Sequence, residues 1–232
     1  MVPQEVSRVT RSKAEARSSY DHLSRWYDWL AGPERRFMRR GLQLLSIQPG
    51  ERVLEIGFGT GHALVRIAQA AGRSYGVELS PGMLAVARRR VARAGLSRAV
   101  QPALADAMRL PFVAGVFDAL LMSFTLELFD TPDIPVVLAE CRRVLRPGGR
   151  LGVVALAQGG GPAVRLYEWA HRRFPRAIDC RPILVHNVLE QAGFHVAASE
   201  QAAMWGLPVQ MVVANTDSSA SEQRTRSGGH YG

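Results

Sequence analysis

Val53-Leu54-Glu55-Ile56-Gly57-Phe58-Gly59-Thr60-Gly61 decides the architecture of this chain. Val53, Leu54 and Ile56 make a short apolar strand that breaks into alternating glycines, and Ala63 to Ala71 then has the composition of a helix. Glycine permits the positive φ of a tight turn and lets a ligand come close to the main chain. The helix start beyond it offers unpaired N–H groups to an electron-rich ligand. Strand-to-helix turns also use glycine for steric reasons alone, so the acids on either side carry the second signal. Glu55 stands two positions before the first glycine, and Glu78 closes the next apolar strand, Ser74 to Val77. A carboxylate at that second strand end is where nucleotide-binding α/β folds hold ribose hydroxyls.

The glycine spacing separates two cofactors. A dinucleotide fingerprint wants its third glycine, or an alanine, three residues after the second. His62 occupies that position here, and the third glycine is Gly61, giving E-x-G-x-G-x-G. A pyrophosphate needs the wider cradle. S-adenosylmethionine (SAM) has no phosphate, and its amino-acid end needs only a tight loop and one carboxylate. The spacing therefore favours SAM over NAD(P).

Four ordered blocks now carry a family resemblance: VLEIGFGTG at 53–61, GVELSPGML at 76–84, ALADAMRLPF at 103–112, and VFDALLMSFTLELF followed by RRVLRPGGRLGVVAL. Residues 53–154 resemble the class I SAM-dependent methyltransferases, and within them the group that includes the ubiquinone/menaquinone C-methyltransferases. The resemblance implies an α/β, Rossmann-like seven-stranded sheet, mostly parallel with an antiparallel C-terminal strand and helices on both faces. It implies a SAM loop of Gly57, Phe58, Gly59, Thr60, Gly61 and His62 with Glu55 beside it. It makes Glu78 the ribose ligand and Asp106, with the Ala107 backbone, the adenine site; Leu79, Met83 and Ser123 complete the cofactor set. A Tyr-Asp pair precedes the SAM loop in the quinone group, in a helix that caps the cofactor, and Tyr27-Asp28 stands there. One block departs from that group, which has a Gly-x-Arg-Asn run after the fourth strand where this chain has Thr125-Leu126-Glu127-Leu128.

Composition fits this picture. A chain of 232 residues, 47% of them apolar, holds one full core with short extensions. No stretch approaches eighteen uncharged apolar residues. The N-terminus has basic residues but lacks the apolar run of a secretory signal. Cys141 and Cys180 make neither a disulfide framework nor a metal spacing, so no metal and a reduced, cytoplasmic setting are expected. The net charge of +9 comes from 29 basic against 20 acidic side chains, with Lys13 the single lysine. Arg88, Arg89, Arg90 and Arg93, interleaved with Leu84, Ala87 and Val91, form a solvated helix face. A basic exterior also favours anionic partners, including peripheral contact with a lipid surface.

The chain divides into an N-terminal helical cap at 1–45, a methyltransferase domain at 46–214 with a substrate-side insertion at 159–192, and a disordered tail at 215–232. Tyr20, Leu23, Tyr27 and Leu30 recur at helical spacing before Gly32-Pro33, and a second helix runs from Arg35 to Leu45. After a turn at Arg146-Pro147-Gly148-Gly149, the fifth strand runs from Gly148 to Leu156. Helices follow at 163–174 and 184–192, then two strands at 194–199 and 207–214, which the resemblance makes an antiparallel hairpin closing the sheet.

The methyl acceptor must be sought outside the SAM-binding blocks. All four tryptophans, Trp26, Trp29, Trp169 and Trp205, lie there, and aromatic walls suit a flat or greasy acceptor. The Asn/Asp-Pro-Pro-Tyr/Phe run that grips amine acceptors is replaced by Ser123-Phe124-Thr125-Leu126, which disfavours nucleic acid. The expected reaction is methyl transfer to a small or lipid-like acceptor, of quinone, phenol or phospholipid type. RNA or protein methylation and non-catalytic SAM binding are the alternatives. An acceptor carbon or phenol oxygen needs a base, for which Tyr27, Glu127 and His171 are candidates, with Asp130 and the polar turn Asp179-Cys180-Arg181-Pro182 nearby. The oligomeric state is left open.

Overall fold

The computed structural model describes residues 32–173 and 181–217. Tyr27, the tryptophans Trp26 and Trp29, Asp179 and Cys180 lie outside the described residues, as do most of the expected cap and tail. The order of elements is α1 (Glu34–Leu45), β1 (Val53–Ile56), α2 (His62–Ala71), β2 (Ser74–Glu78), α3 (Pro81–Arg93), β3 (Val100–Leu104) and β4 (Phe117–Ser123). A 3-10 turn (Leu126–Leu128) leads to α4 (Ile134–Val144), β5 (Leu145–Leu156), α5 (Pro162–Arg173), α6 (Val185–Gln191), β6 (His195–Met204) and β7 (Leu207–Asn215).

The seven strands form one sheet in the order β3-β2-β1-β4-β5-β7-β6. β1 to β5 are parallel, and β7 runs antiparallel to both β5 and β6. From β1 the chain winds outward through β2 and β3 and then returns to place β4 on the other side. That reversal is the switch point at which open α/β sheets leave a crevice beyond their carboxyl strand ends.

Both faces are covered, as the unbroken burial of β1 requires. Leu54, Ile56, Leu120, Met122 and Val153 point towards α4 and α6, where Val137, Leu138 and Leu189 meet them. Val53, Ala119 and Leu121 point the other way, onto Met38 and Leu45 of α1 and Ala63 and Ile67 of α2. Arg150 fixes α1 against the sheet. Its guanidinium donates to the carbonyls of Leu45 (2.6 Å) and Ser46 (3.0 Å) and to both carboxylate oxygens of Glu51. The same pair holds the Glu51 carboxyl below its usual range.

Three details differ from the sequence expectation. The Arg146–Gly149 turn is a bulge inside β5 rather than a prelude to it: Leu145 pairs with Phe117 and Arg150 with Ala119, so four residues oppose Asp118 alone. Asp118 accounts for the geometry by accepting the Arg52 N–H (2.7 Å) and pairing with Arg146 (3.0 Å). β6 extends to Met204, past the expected end at Ser199. It is an edge strand, so Glu200 to Ala203 have an exposed side and lack apolar alternation. A turn with φ of 53° at Trp205 and 80° at Gly206 then joins it to β7, the positive-φ pair that suits a tight hairpin. Finally, order continues through Asp217. Thr216 donates its N–H to the Gly149 carbonyl (2.9 Å), and His195 meets Asp217 at 2.6 Å.

Candidate active site

The loop from β1 to α2 is set by three glycines at positive φ, 69° at Gly57, 50° at Gly59 and 81° at Gly61. They face different surroundings. A Cβ on Gly57 would strike the Thr125 side chain, whose Oγ1 would lie 2.7 Å away, and one on Gly61 would lie 2.8 Å from Ala87 Cβ. A Cβ on Gly59 would meet nothing within 4 Å. The outer glycines therefore let the loop lie against β4 and α3, while the middle one presents bare main chain to open space. Phe58 turns inward among Leu64, Leu84 and Val91 and anchors the loop. Thr60 is buried, and its carbonyl accepts from Arg90 of α3. His62 begins α2, half-buried beside Gly61.

Glu78 closes the other side of this cradle. Its Oε2 accepts the Gly59 N–H at 3.0 Å, and its Oε1 accepts the N–H groups of Leu79 (2.8 Å) and Ser80 (2.9 Å). Ser80 in turn caps α3 by accepting the Met83 N–H at 3.1 Å, with Met83 buried beneath. The Ala105 N–H donates to the Glu78 carbonyl at 3.0 Å and brings the end of β3 alongside. Asp106 stands there, its Oδ1 accepting the Met108 N–H at 2.9 Å, with Ala107 buried next to it. The expected ribose and adenine positions are thus neighbours along one strand edge.

Glu55 sits differently. It is 4% exposed and lies under the loop with its Oε2 lacking a hydrogen-bond partner. Burial pushes its carboxyl well above the usual range, Glu78 adds to the shift, and the Leu64 N–H opposes it.

Beyond β4 the site changes character. Ser123 ends the strand, and Phe124 follows at φ 51°, donating its N–H to the Val154 carbonyl at 2.7 Å. Phe124 meets Phe37 of α1 edge to face, with ring centres 6.4 Å apart. Leu156, Val164, Met204 and Leu207 complete an apolar cluster around them. Glu127 is fully buried in the 3-10 turn, and its Oε1 accepts the Leu156 N–H at 3.2 Å while Oε2 has no partner. Burial raises its carboxyl from 4.5 to about 8; Glu34 adds to the shift and Arg181 opposes it. Arg181 is also fully buried, donating to Thr131 Oγ1 and the Phe129 carbonyl, both at 2.8 Å. Asp130 has a local role, accepting the Thr131 N–H at 2.8 Å before α4. His171 lies on α5.

Phe124, Thr125 and Arg181 are parts of this site that the sequence shows only as members of short runs, without revealing their structural role. A positive φ at a non-glycine residue leaves no compositional trace. Arg181 stood in a polar turn, and only the fold shows it buried. Among the described residues, no three His, Cys, Asp or Glu side chains gather to hold a metal ion. Cys141 is buried under α4, which pushes its thiol up to about 12 and keeps it protonated.

The donor set fits SAM. The open main chain at Gly59 accommodates an amino-acid end, and the carboxylates of Glu78 and Asp106 lie in the order in which ribose and adenine follow it. A family model described as a methyltransferase domain matches residues 53–149. Fold and site define a class I SAM-dependent methyltransferase, a transferase that takes SAM as its methyl donor. Over 202 residues the chain is 31% identical to a demethylmenaquinone methyltransferase of Mycolicibacterium gilvum (strain PYR-GCK), covering 85% of this chain and 82% of that one. A demethylmenaquinone methyltransferase of Mycobacterium marinum (strain ATCC BAA-535 / M) is 31% identical over 223 residues, covering 94% and 89%. The chain belongs to the demethylmenaquinone methyltransferase family. Among solved structures, the cyclase SpnF matches with a TM-score of 0.72 over 91% of this chain and 98% of its own, at 19% identity, a likeness of fold alone.

Proposed function

We propose that this enzyme methylates the ring of a lipid-like, quinol-type acceptor. The observation that carries the proposal is the reach of the similarity to demethylmenaquinone methyltransferases. It covers 85% of the chain, well beyond the methyltransferase-domain match at 53–149, and so extends into the part assigned here to the acceptor. The apolar cluster around Phe37, Phe124 and Val164 at the strand ends suits a flat, greasy ring.

In this proposal Gly57, Phe58, Gly59, Thr60, Gly61 and His62 hold the methionine end of SAM through main chain, and Glu55 underpins them. Glu78, Leu79 and Met83 serve the ribose, Asp106 and Ala107 the adenine, and Ser123 borders the methyl-transfer position. When bound, SAM supplies an electrophilic methyl group. The chain supplies alignment, exclusion of water and removal of the acceptor's proton. Tyr27 and residues 1–45 are assigned to the cap over this site, and residues 159–192 to its acceptor side. The sharing of this fold with a cyclase means that the site, rather than the architecture, sets the chemistry.

Contact with a lipid surface belongs to the same proposal. Leu166 and Trp169, three apart on α5, are 65% and 55% exposed, on the side of the helix away from the buried Val164, with exposed Arg165 and Arg173 on the same element. Among the described residues, no helix is long and apolar enough to cross a membrane.

The test is incubation with SAM and a chemically reduced 2-prenyl-1,4-naphthoquinone of short chain, with products read by mass spectrometry. The expected product carries one added methyl on a ring carbon. Methylation on oxygen, or only of unrelated phenols, would replace the quinol-ring assignment, and the Thr125-Leu126-Glu127-Leu128 run is the feature that makes this worth checking.

A further inference from the structure

Two carboxylates among the described residues bury an oxygen that has no hydrogen-bond partner, Glu55 and Glu127. Glu55 lies beneath the glycine loop, on the cofactor side. Glu127 lies just past the carboxyl end of β4, next to Phe124 and the strand end at Leu156, which belong to the apolar acceptor-side cluster. A buried carboxylate oxygen without a partner is costly, so its retention calls for a use.

We infer that Glu127 is the proton-exchanging residue of the acceptor site, its Oε2 taking the hydroxyl proton of the phenolic or quinol acceptor and later returning it. The inference rests on the proposed acceptor class. The O–H bond of the acceptor breaks and a Glu127 O–H forms. The electron pair stays with the ring, whose carbon forms the new bond to the methyl as the methyl–sulfur bond of the donor breaks, that bond's electron pair leaving with sulfur in the neutral thioether S-adenosylhomocysteine. The proton on that ring carbon then leaves to solvent and the oxygen recovers its proton from Glu127. One proton is released per turnover and the carboxylate is regenerated.

The surroundings suit this exchange. A carboxyl raised to about 8 is a stronger base when ionised than an ordinary glutamate, and so closer in proton affinity to a phenol near 10. Two charged groups act on it, Glu34 from α1, which raises its proton affinity, and Arg181 from the segment between α5 and α6, which lowers it. The competing role is structural, since Oε1 already accepts the Leu156 N–H at the end of β5.

Glu127→Gln separates the two. The amide oxygen still accepts the Leu156 N–H, and the side chain is neutral like the protonated acid, but it takes up no proton. The variant is expected to keep its melting temperature at about pH 5, where both side chains are neutral, and its affinity for S-adenosylhomocysteine. Its kcat on 2-prenyl-1,4-naphthoquinol should fall by about 10²- to 10⁴-fold. The wild-type rise of kcat with pH through about 8 should disappear with it. Unchanged kcat and an unchanged pH profile in a folded variant would overturn the inference while leaving the acceptor class intact. If the wild-type enzyme leaves the quinol unmethylated, the acceptor class falls, and a second readout decides on Glu127. Infrared difference spectra with bound 1-naphthol at about pH 9, where the carboxyl is mostly ionised beforehand, should show a carboxyl that gains a proton on binding, absent in Glu127→Gln; no such signal would overturn the inference.

Discussion

The two sides of the crevice beyond the strand ends are held together by different means. On the β1-β2-β3 side the surface is main chain. Three glycines at positive φ shape it, and one carboxylate, Glu78, ties Gly59, Leu79 and Ser80 together through their N–H groups. On the β4-β5 side the surface is side chain. Phe37, Phe124, Leu156, Val164 and Met204 come from separate elements, a buried acid accepts the Leu156 N–H, and a buried arginine holds Thr131 and Phe129 further along the chain. Main-chain sites tolerate little variation because their geometry is the ligand's complement. Side-chain sites can be repacked for a new acceptor without disturbing the rest.

This contrast can be broken most severely at Gly59. Gly59→Val meets no atom within 4 Å, so the fold should survive with the strain of a β-branched residue at positive φ, about 1–3 kcal/mol. S-adenosylhomocysteine affinity, measured by calorimetry, should drop beyond detection. Normal affinity in the folded variant would place the cofactor elsewhere. Gly57→Val should instead fail to fold, because its side chain collides with Thr125. The pair separates a glycine needed by the ligand from one needed by the packing.

Glu78→Ala comes next, with SAM affinity expected to weaken by roughly 1–3 kcal/mol, since hydrogen bonds to a charged group are lost. At saturating SAM its KM for the acceptor should be unchanged; a large change there would mean that the two sides of the crevice are coupled.

The acceptor side has a signature in stability. The Glu127 carboxyl binds its proton more tightly folded, at about 8, than at the ordinary 4.5. Its neutral form therefore favours the folded state fully below about 4.5, and that contribution is lost as pH rises towards 8, by up to about 1.4 kcal/mol per unit. Glu127→Gln removes the dependence, so denaturant titrations of the variant and wild type should diverge between pH 5 and 8 in favour of the variant. Parallel curves would mean that Glu127 titrates normally. The smallest effect is expected at the rim. Leu166→Ala with Trp169→Ala should shift stability by no more than about 0.5 kcal/mol, as exposed positions do. Binding to vesicles of phosphatidylglycerol should weaken several-fold, while turnover of a detergent-dispersed quinol stays the same. Undiminished vesicle binding would detach α5 from the lipid contact.

The same contrast explains what could be read from the chain. The strands β1 and β2, the loop at 57–61 and the acids at 78 and 106 are local features, each written within a few adjacent residues. Their side chains answer to turn geometry and short hydrogen bonds. Residues on the acceptor side meet only after the chain has crossed the sheet, as Phe37 meets Phe124. Periodicity placed α1, α5 and α6 within a residue or so, because each buries one stripe against the sheet. It missed the end of β6, where an exposed edge relaxes the alternation, and the bulge opposite Asp118, where a side-chain carboxylate and not a strand pattern sets the register. The burial of Arg181 was illegible for the same reason, since its partners Thr131 and Phe129 lie some fifty residues earlier.

The position of β7 bears on how the protein is made. β5 depends on β7 for one whole edge, from Arg150 opposite Asn215 to Leu156 opposite Val209. Among the described residues β7 is the last strand to leave the ribosome, after β6, whose one strand partner there is β7. A nascent chain that has emerged only through Trp205 thus carries a bare strand edge beside a finished cofactor cradle. Exposed edges of this kind recruit other chains. Chains cut before Leu207 should therefore aggregate where the full chain stays dispersed, because the closing hairpin is what covers the edge of β5.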